Sequence, residues 1–221
     1  LVRESIFNLL THSNIINFKI AGSNILDLYS GTGSFGLECL SREAKSVFFV
    51  ENNKTTFDIL KKNIDKLDVI HKSKTFFYDV FYFIKKKNIS KHKFDLIFCD
   101  PPFKDDNINK LIELISRKKL LKKDGLVILH RNKKIKEKLP NFLKIIDERI
   151  YGLSKIIFGK ILFNNFSVSL FICSTAGWLK GLTFIKWDKS IVSRTKNVKI
   201  LPNSVSFFLL KFISRNGILL L

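Results

Sequence analysis

The sequence predicts an α/β fold: a doubly wound, mostly parallel sheet of seven strands that ends in an antiparallel hairpin. Three observations predict it. Short β-prone apolar runs alternate along residues 23–163 with segments whose apolar residues recur at helical spacing, which is the pattern of strands joined by crossover helices. A glycine loop, Gly31-Thr32-Gly33-Ser34-Phe35-Gly36, follows the first of these strands and opens a helix. Acidic residues stand at the carboxyl ends of successive strands, where ligands collect in such sheets.

Composition sets the bounds. A chain of 221 residues with 46% apolar content is long enough to bury a core in one domain or at most two. The formal net charge of +20 suits a polyanionic partner, but the excess is mostly Lys among many Ile, Asn and Phe, a composition that A/T-rich coding alone produces. Charge therefore carries little of the functional argument. Cys39, Cys99 and Cys173 show neither CxxC nor Cys/His spacing, so no zinc site and no disulfide framework is expected, in keeping with a reducing cytoplasm. No basic stretch followed by an apolar run and a cleavage site marks the amino terminus, so no secretory signal is expected. The chain starts at Leu1 and contains no Met, from which a truncated beginning is expected.

In chain order, Val2, Ile6, Leu9 and Leu10 form one stripe of an amphipathic helix, with Arg3, Glu4 and Asn8 off it. Residues 1–22 are read as this helix and a linker. Ile25 to Tyr29 is the first strand, and Ser30 leads it into the glycine loop and a helix to about Ser41. Gly31 suits a tight turn, Gly33 the close approach of a ligand, and Gly36 the packing of helix on strand. Ser46 to Val50 is the second strand and ends in Glu51, twenty residues after Gly31, where an acid can accept both hydroxyls of a ribose. Phe57, Leu60, Ile64 and Leu67 mark the next helix. Thr75 to Tyr78 forms a short strand ending at Asp79, with a helix beginning at Val80. Phe94 to Cys99 is a buried strand. Asp105 and Asp106 can cap a helix with the stripe Ile108, Leu111, Ile112 and Ile115. Gly125 to Leu129 is the fifth strand, and Phe142 to Tyr151 and Ser154 to Phe163 form a hairpin turning at Gly152. Asp27, Glu51, Asp79 and Asp100 all fall at carboxyl ends of strands and are expected to share one crevice.

The run from Phe94 to Phe103, FDLIFCDPPF, carries the chemistry. Pro101 and Pro102 have no N–H to give, and their fixed φ angles hold Asp100 and Phe103 in a rigid, extended turn. Such a turn suits a planar base bearing an exocyclic amine: the ring stacks on Phe103 while the NH2 donates to Asp100 and to a carbonyl of the Pro101 turn.

With RESIFNLL, LDLYSGTGSFGLECLSR, VEN and FDLIFCDPPF in place, the chain resembles the bacterial 16S rRNA guanine-N2 methyltransferases, RsmD-like members of the class I S-adenosylmethionine-dependent methyltransferases. The resemblance covers residues 1–163 and implies a Rossmann-like methyltransferase domain over 23–163. By position, it implies that Asp27 and Gly31 to Gly33, including Thr32, border the methionine part of S-adenosylmethionine, Glu51 its ribose and Asp79 its adenine amine, with Tyr29, Ser30, Asn52 and Val80 also among the residues that bind this cofactor. Asp100, Pro101, Pro102 and Phe103 would hold the target guanine, whose amine attacks the sulfonium methyl in line, with no metal required. The implied partner is 16S rRNA or an assembling small ribosomal subunit, met by a cytoplasmic monomer. An Arg-Pro-Thr stretch that usually precedes the Arg3-Glu4 helix is absent, and Asp79 lacks the small residue often found before it.

Arg3 and Asn8 on the first helix, and Lys104, Arg131, Lys133 and Lys134 after strands, are the candidates for contact with RNA. Lys85 to Lys87 and Lys118 to Lys123 precede strands and are expected on the edge away from the crevice. His12, His71, His92 and His130 form no relay or metal spacing, although His130 ends a strand near the site. Residues 164–221 carry a single acid, Asp188, against eight basic residues and are read as an extension outside the domain. Ile161 to Leu179 is uncharged but polar enough that a membrane span is not expected. Two other readings share the turn: an adenine-N6 or cytosine-N4 methyltransferase of DNA or RNA, and a decayed homologue that only binds RNA.

Overall fold

A computed structural model describes residues 2–102, 107–135, 138–162, 185–186 and 218–219 of the chain. The chain divides into two compact units, Leu1–Ser167 and Val168–Leu221. In the second unit the described residues are two short antiparallel strands, β8 (Ile185–Lys186) and β9 (Ile218–Leu219).

The first unit contains helix α1 (Val2–His12) and then strands β1 (Asn24–Leu28), β2 (Ser46–Glu51), β3 (Ser73–Phe77) and β4 (Phe94–Cys99). They alternate with helices α2 (Ser34–Ser41), α3 (Lys54–Lys66), α4 (Val80–Lys85) and α5 (Ile108–Arg117). Strands β5 (Leu121–Asn132), β6 (Leu143–Tyr151) and β7 (Ser154–Ile161) complete a sheet of order β3-β2-β1-β4-β5-β7-β6. The first five strands pair in parallel, and β7 runs antiparallel between β5 and β6. The order reverses between β1 and β4, which opens a crevice beyond their carboxyl ends. The expected architecture is the observed one.

Both faces of the sheet are covered, so the central strands are apolar on both sides, as parallel strands must be. On one face α4 and α5 pack Phe83, Ile84, Leu111 and Ile115 onto Leu26, Val50, Ile97 and Val127. On the other, α1, α2 and α3 pack Phe7, Phe35, Cys39 and Leu60 onto Ile25, Phe49, Phe98 and Ile128. Phe7 stacks on Phe35 at 5.1 Å between ring centroids, and Phe35 stacks on Phe98 at 4.0 Å. These three rings tie α1 to the start of α2 and to the strand that ends in Asp100. Gly36 allows this packing, because a Cβ there would overlap the Phe49 ring and Val47.

Several expectations need correction. Leu67 follows the last turn of α3 and is 56% exposed, so the stripe of that helix ends at Ile64. Strand β5 begins at Leu121, four residues before Gly125, because Phe94 pairs with Leu121 and a register shift follows; Lys122 bonds Asp95 across that widened start. Lys86 lies less remote than topology implies: its Nζ sits 3.5 Å from the centroid of Tyr78, just past the end of β3. Position 107 is the N-cap of α5, while Asp105 and Asp106, expected to cap it, lie outside the described residues. Most of the uncharged run from Ile161 to Leu179 also lies outside them. Among the described residues no helix is long and apolar enough to cross a membrane.

Candidate active site

The crevice is built from strand ends whose register places them side by side. Leu28 pairs with Val50 on one side and with Cys99 on the other, so Glu51 and Asp100 follow at neighbouring strand ends, with Asp27 just inside. The Asp100 amide donates to Leu28 O at 3.4 Å, which carries the ladder one step beyond β4 before the prolines end it. Pro101 is buried and Pro102 exposed, so the turn emerges from the sheet at Asp100.

The glycine loop is held by Glu51. Its Oε2 accepts from Gly31 N at 2.7 Å, and its Oε1 accepts from Asn52 N at 2.9 Å and Asn53 N at 2.7 Å. Asn53 in turn caps α3 through Thr56 N. A carboxylate offers about four lone-pair sites, and three are taken by these amides. Glu51 therefore has room for about one further donor rather than for two hydroxyls. Ser30 completes the loop, its amide donating to Val50 O at 3.0 Å, while Tyr29 takes a left-handed φ of 60°. That conformation is uncommon for a large side chain and concentrates at functional turns.

The glycines divide their work differently from expectation. A Cβ on Gly31 would meet nothing within 4 Å, so the open approach is at Gly31. A Cβ on Gly33 would collide with Leu60 and crowd Leu37, so the lack of a side chain there serves the packing of α2 against α3. The exposed Asn52 and partly exposed Thr32 border the same opening.

Asp27 is 1% exposed; its Oδ2 accepts from Gly36 N at 3.0 Å. Its Oδ1 has no hydrogen-bond partner among the described residues. Burial pushes this carboxyl up from its ordinary 3.8 to about 8; the Gly36 amide opposes the rise, and the charges of Asp100 and Glu51 add to it. Asp27 thus feels the charges of Asp100 and Glu51. Asp79 stands apart at the end of the edge strand, exposed, its Oδ1 capping α4 through Tyr82 N at 3.0 Å, with Val80 buried behind it.

Sequence reasoning missed two features. His130 Nδ1 lies 2.8 Å from Asp100 Oδ1; the signal was its position, since Leu129 pairs with Cys99 and the next rung brings His130 beside Asp100. Arg149 and Tyr151, at the end of β6, line an open groove of about 620 Å³ with Ser5, Asn8 and His12 of α1. Nothing in the local sequence marked them, because only the hairpin's docking beside β5 brings them to α1.

Of the RNA candidates, Arg3, Asn8, Lys133 and Lys134 are exposed, and the two lysines directly follow β5. Arg131 is a correction. It lies within β5, 0% exposed, on the face that carries Val127 and Leu129, and a guanidinium so placed cannot reach a phosphate at the rim. The strand runs three residues further than its apolar stretch indicated. Phe103 and Lys104 lie outside the described residues. Among the described residues no group of three or more His, Cys, Asp or Glu is placed to hold a metal ion.

A parallel sheet that reverses at β1 and β4, with a glycine loop braced by the acid of the next strand, defines a Rossmann-like methyltransferase fold. The Escherichia coli protein yhhF superposes on 72% of this chain and 84% of its own with a TM-score of 0.63 at 23% identity. HI0767 of Haemophilus influenzae does so over 73% and 96% with a TM-score of 0.61 at 30% identity. The family model described as Conserved hypothetical protein 95 matches residues 1–160. The chain is 31% identical over 174 residues to ribosomal RNA small subunit methyltransferase D of Buchnera aphidicola subsp. Acyrthosiphon pisum, covering 79% of this chain and 80% of that protein. To the Haemophilus influenzae protein of the same name it is 32% identical over 159 residues, covering 69% and 76%. The chain belongs to the ribosomal RNA small subunit methyltransferase D family.

Proposed function

We propose that the protein transfers a methyl group from S-adenosylmethionine to the exocyclic N2 amine of a guanine in small-subunit (16S) rRNA. The observation that carries this reading is the emergence of Asp100, half-exposed and followed by Pro101 and Pro102, at the end of β4, next to β1 and the glycine loop that is open at Gly31. The residues fit the donor. Asp27 Oδ1, buried without a hydrogen-bond partner among the described residues, suits the ammonium of its methionine part. Glu51 has acceptor capacity for a ribose hydroxyl, and the second oxygen of Asp79 is available to an adenine amine.

Bound S-adenosylmethionine supplies an electrophilic methyl on a positive sulfur that leaves as a neutral thioether. The chain's task is to present the amine. The N2 lone pair of guanine is delocalised into the ring, so the nitrogen is a poor nucleophile until both of its N–H groups are engaged. Asp100 accepts one and the Pro101 carbonyl the other, which favours a pyramidal nitrogen whose lone pair faces the methyl. Asp100, or water beside it, would take the proton that N2 releases once it carries the methyl group. Lys133, Lys134, Arg3 and Asn8 are candidates to hold the RNA backbone around a base that is unstacked or already exposed.

Mass mapping of nucleotides after incubation with naked 16S rRNA and with assembled small subunits tests this reading. A single N2-methylguanine is expected. N6-methyladenine or N4-methylcytosine as the product would replace it with the other amine-methylating class, and no methylation with intact donor binding would leave an RNA-binding homologue.

A further inference from the structure

We propose that His130 is a positioning residue for Asp100, holding its carboxylate by an Nδ1–H bond so that the second oxygen faces the incoming amine; this rests on the methyltransferase reading above. The geometry supports it from two directions. Asp100 and His130 directly follow Cys99 and Leu129, the last pair of the parallel β4–β5 ladder, and alternation puts them on the face that carries Phe98 and Ile128. His130 Nδ1 then meets Asp100 Oδ1 at 2.8 Å, within the range of a charge-assisted bond.

The two partners differ in freedom, and the difference sets the direction of control. The His130 side chain is 16% exposed and sits inside β5, whereas the Asp100 side chain is 41% exposed and lies past the end of β4. Among the described residues the Asp100 carboxylate has no other recorded side-chain contact. An exposed carboxylate at a strand end samples several rotamers. A bond from a ring fixed in the sheet selects one of them and leaves Oδ2 to accept from the substrate. Only the Nδ1–H form donates in this position, so Asp100 also selects the tautomer of its partner.

Substitution separates this role from simple packing. His130→Asn keeps an N–H donor at the same number of bonds from the backbone as Nδ1, and His130→Leu fills similar space without a donor. At saturating donor and RNA, single-turnover methyl transfer by His130→Leu should fall about tenfold, the scale of one hydrogen bond to a charged group. Its donor affinity and Tm should match the wild type, and His130→Asn should recover to within about threefold. In an Asp100→Ala background, His130→Leu should cause no further loss, because the residue acts through Asp100.

A Leu variant as fast as wild type, an Asn variant as slow as Leu, or an undiminished Leu effect in the Ala background would each overturn the assignment. A second measurement judges it without activity. Nitrogen-15 NMR of the full chain above the titration range of histidine should show His130 protonated at Nδ1, reverting to the Nε2–H form in Asp100→Ala. An Nε2–H tautomer in the wild type overturns the positioning role even if methyl transfer is found. An Nδ1–H tautomer that depends on Asp100 upholds it even if the RNA product differs from the one proposed.

Discussion

Asp27 is the residue at which burial and the proposed donor binding are expected to be coupled. Its carboxyl is raised from 3.8 to about 8 by burial and by Asp100 and Glu51, so the folded chain holds a proton there that the unfolded chain releases near pH 4. Its contribution to stability is therefore fully present below about pH 4, declines as pH rises, and is lost above about pH 8. Asp27→Asn should flatten this slope in a plot of Tm against pH. A cation beside Oδ1 favours the ionised form, so S-adenosylmethionine should bind with release of close to one proton at pH 7. Calorimetry in two buffers of different ionisation heat measures that number, and affinity should rise with pH until about 8. Asp100 is the complementary residue in the proposed reaction, where it is assigned to the substrate rather than to the donor. Asp100→Ala should leave donor affinity nearly unchanged and slow transfer by about a hundredfold, the scale for one positioned polar group. Asp100→Asn keeps an acceptor oxygen and should be faster than Ala in the same single-turnover assay; equal damage would assign Asp100 a general-base role instead.

At the scale of elements, the site depends on how β2 is joined to the glycine loop and to α3. Glu51 stitches these three segments through the amides of Gly31, Asn52 and Asn53, and Asn53 then caps α3. Glu51→Ala removes all three bonds at once. Donor affinity should weaken by roughly 1 to 3 kcal/mol, as when hydrogen bonds to a charged acceptor are lost, and Tm should fall with it because the loop loses its brace. A weakened affinity without a change in Tm would assign Glu51 to the ribose alone. The helix α1 is bound to this region by a different force. Phe7 reaches Phe98 through Phe35, so the helix is registered against β4 by a stack of rings. Of these contacts, the sequence displayed only the amphipathic stripe of α1, and Phe7 lay outside it. Ring stacking between distant segments leaves no periodic trace in any one of them.

The seven strands of the larger sheet and the candidate donor-binding residues all fall within residues 2–162. Residues 1–167 expressed alone should therefore unfold in one cooperative transition and bind S-adenosylmethionine with the affinity of the full chain. An insoluble or molten fragment beside a soluble full chain would show that the later residues complete the core. Element order, the parallel sheet, the crevice acids and the Asp100 turn were legible because each rests on local chemistry: apolar period, proline geometry, and glycine where the chain turns tightly. Strand alternation also placed Asp27, Glu51 and Asp100 at neighbouring ends. What the sequence alone could not determine were the contacts made across strands. Arg131 read as a rim cation because the apolar stretch of its strand ends at Leu129; pairing with β7 carries β5 on to Asn132, and Arg131 is buried within it. His130 read only as ending a strand near the site, with no role, until the register of β4 and β5 set it 2.8 Å from Asp100. The open side of the loop moved from Gly33 to Gly31 because Leu60 of α3 fills the space beside Gly33. Periodicity and turn chemistry act between neighbours in the chain, so one sequence displays them; burial, register and side-chain approach belong to pairs of segments, and only the folded chain decides which segments meet.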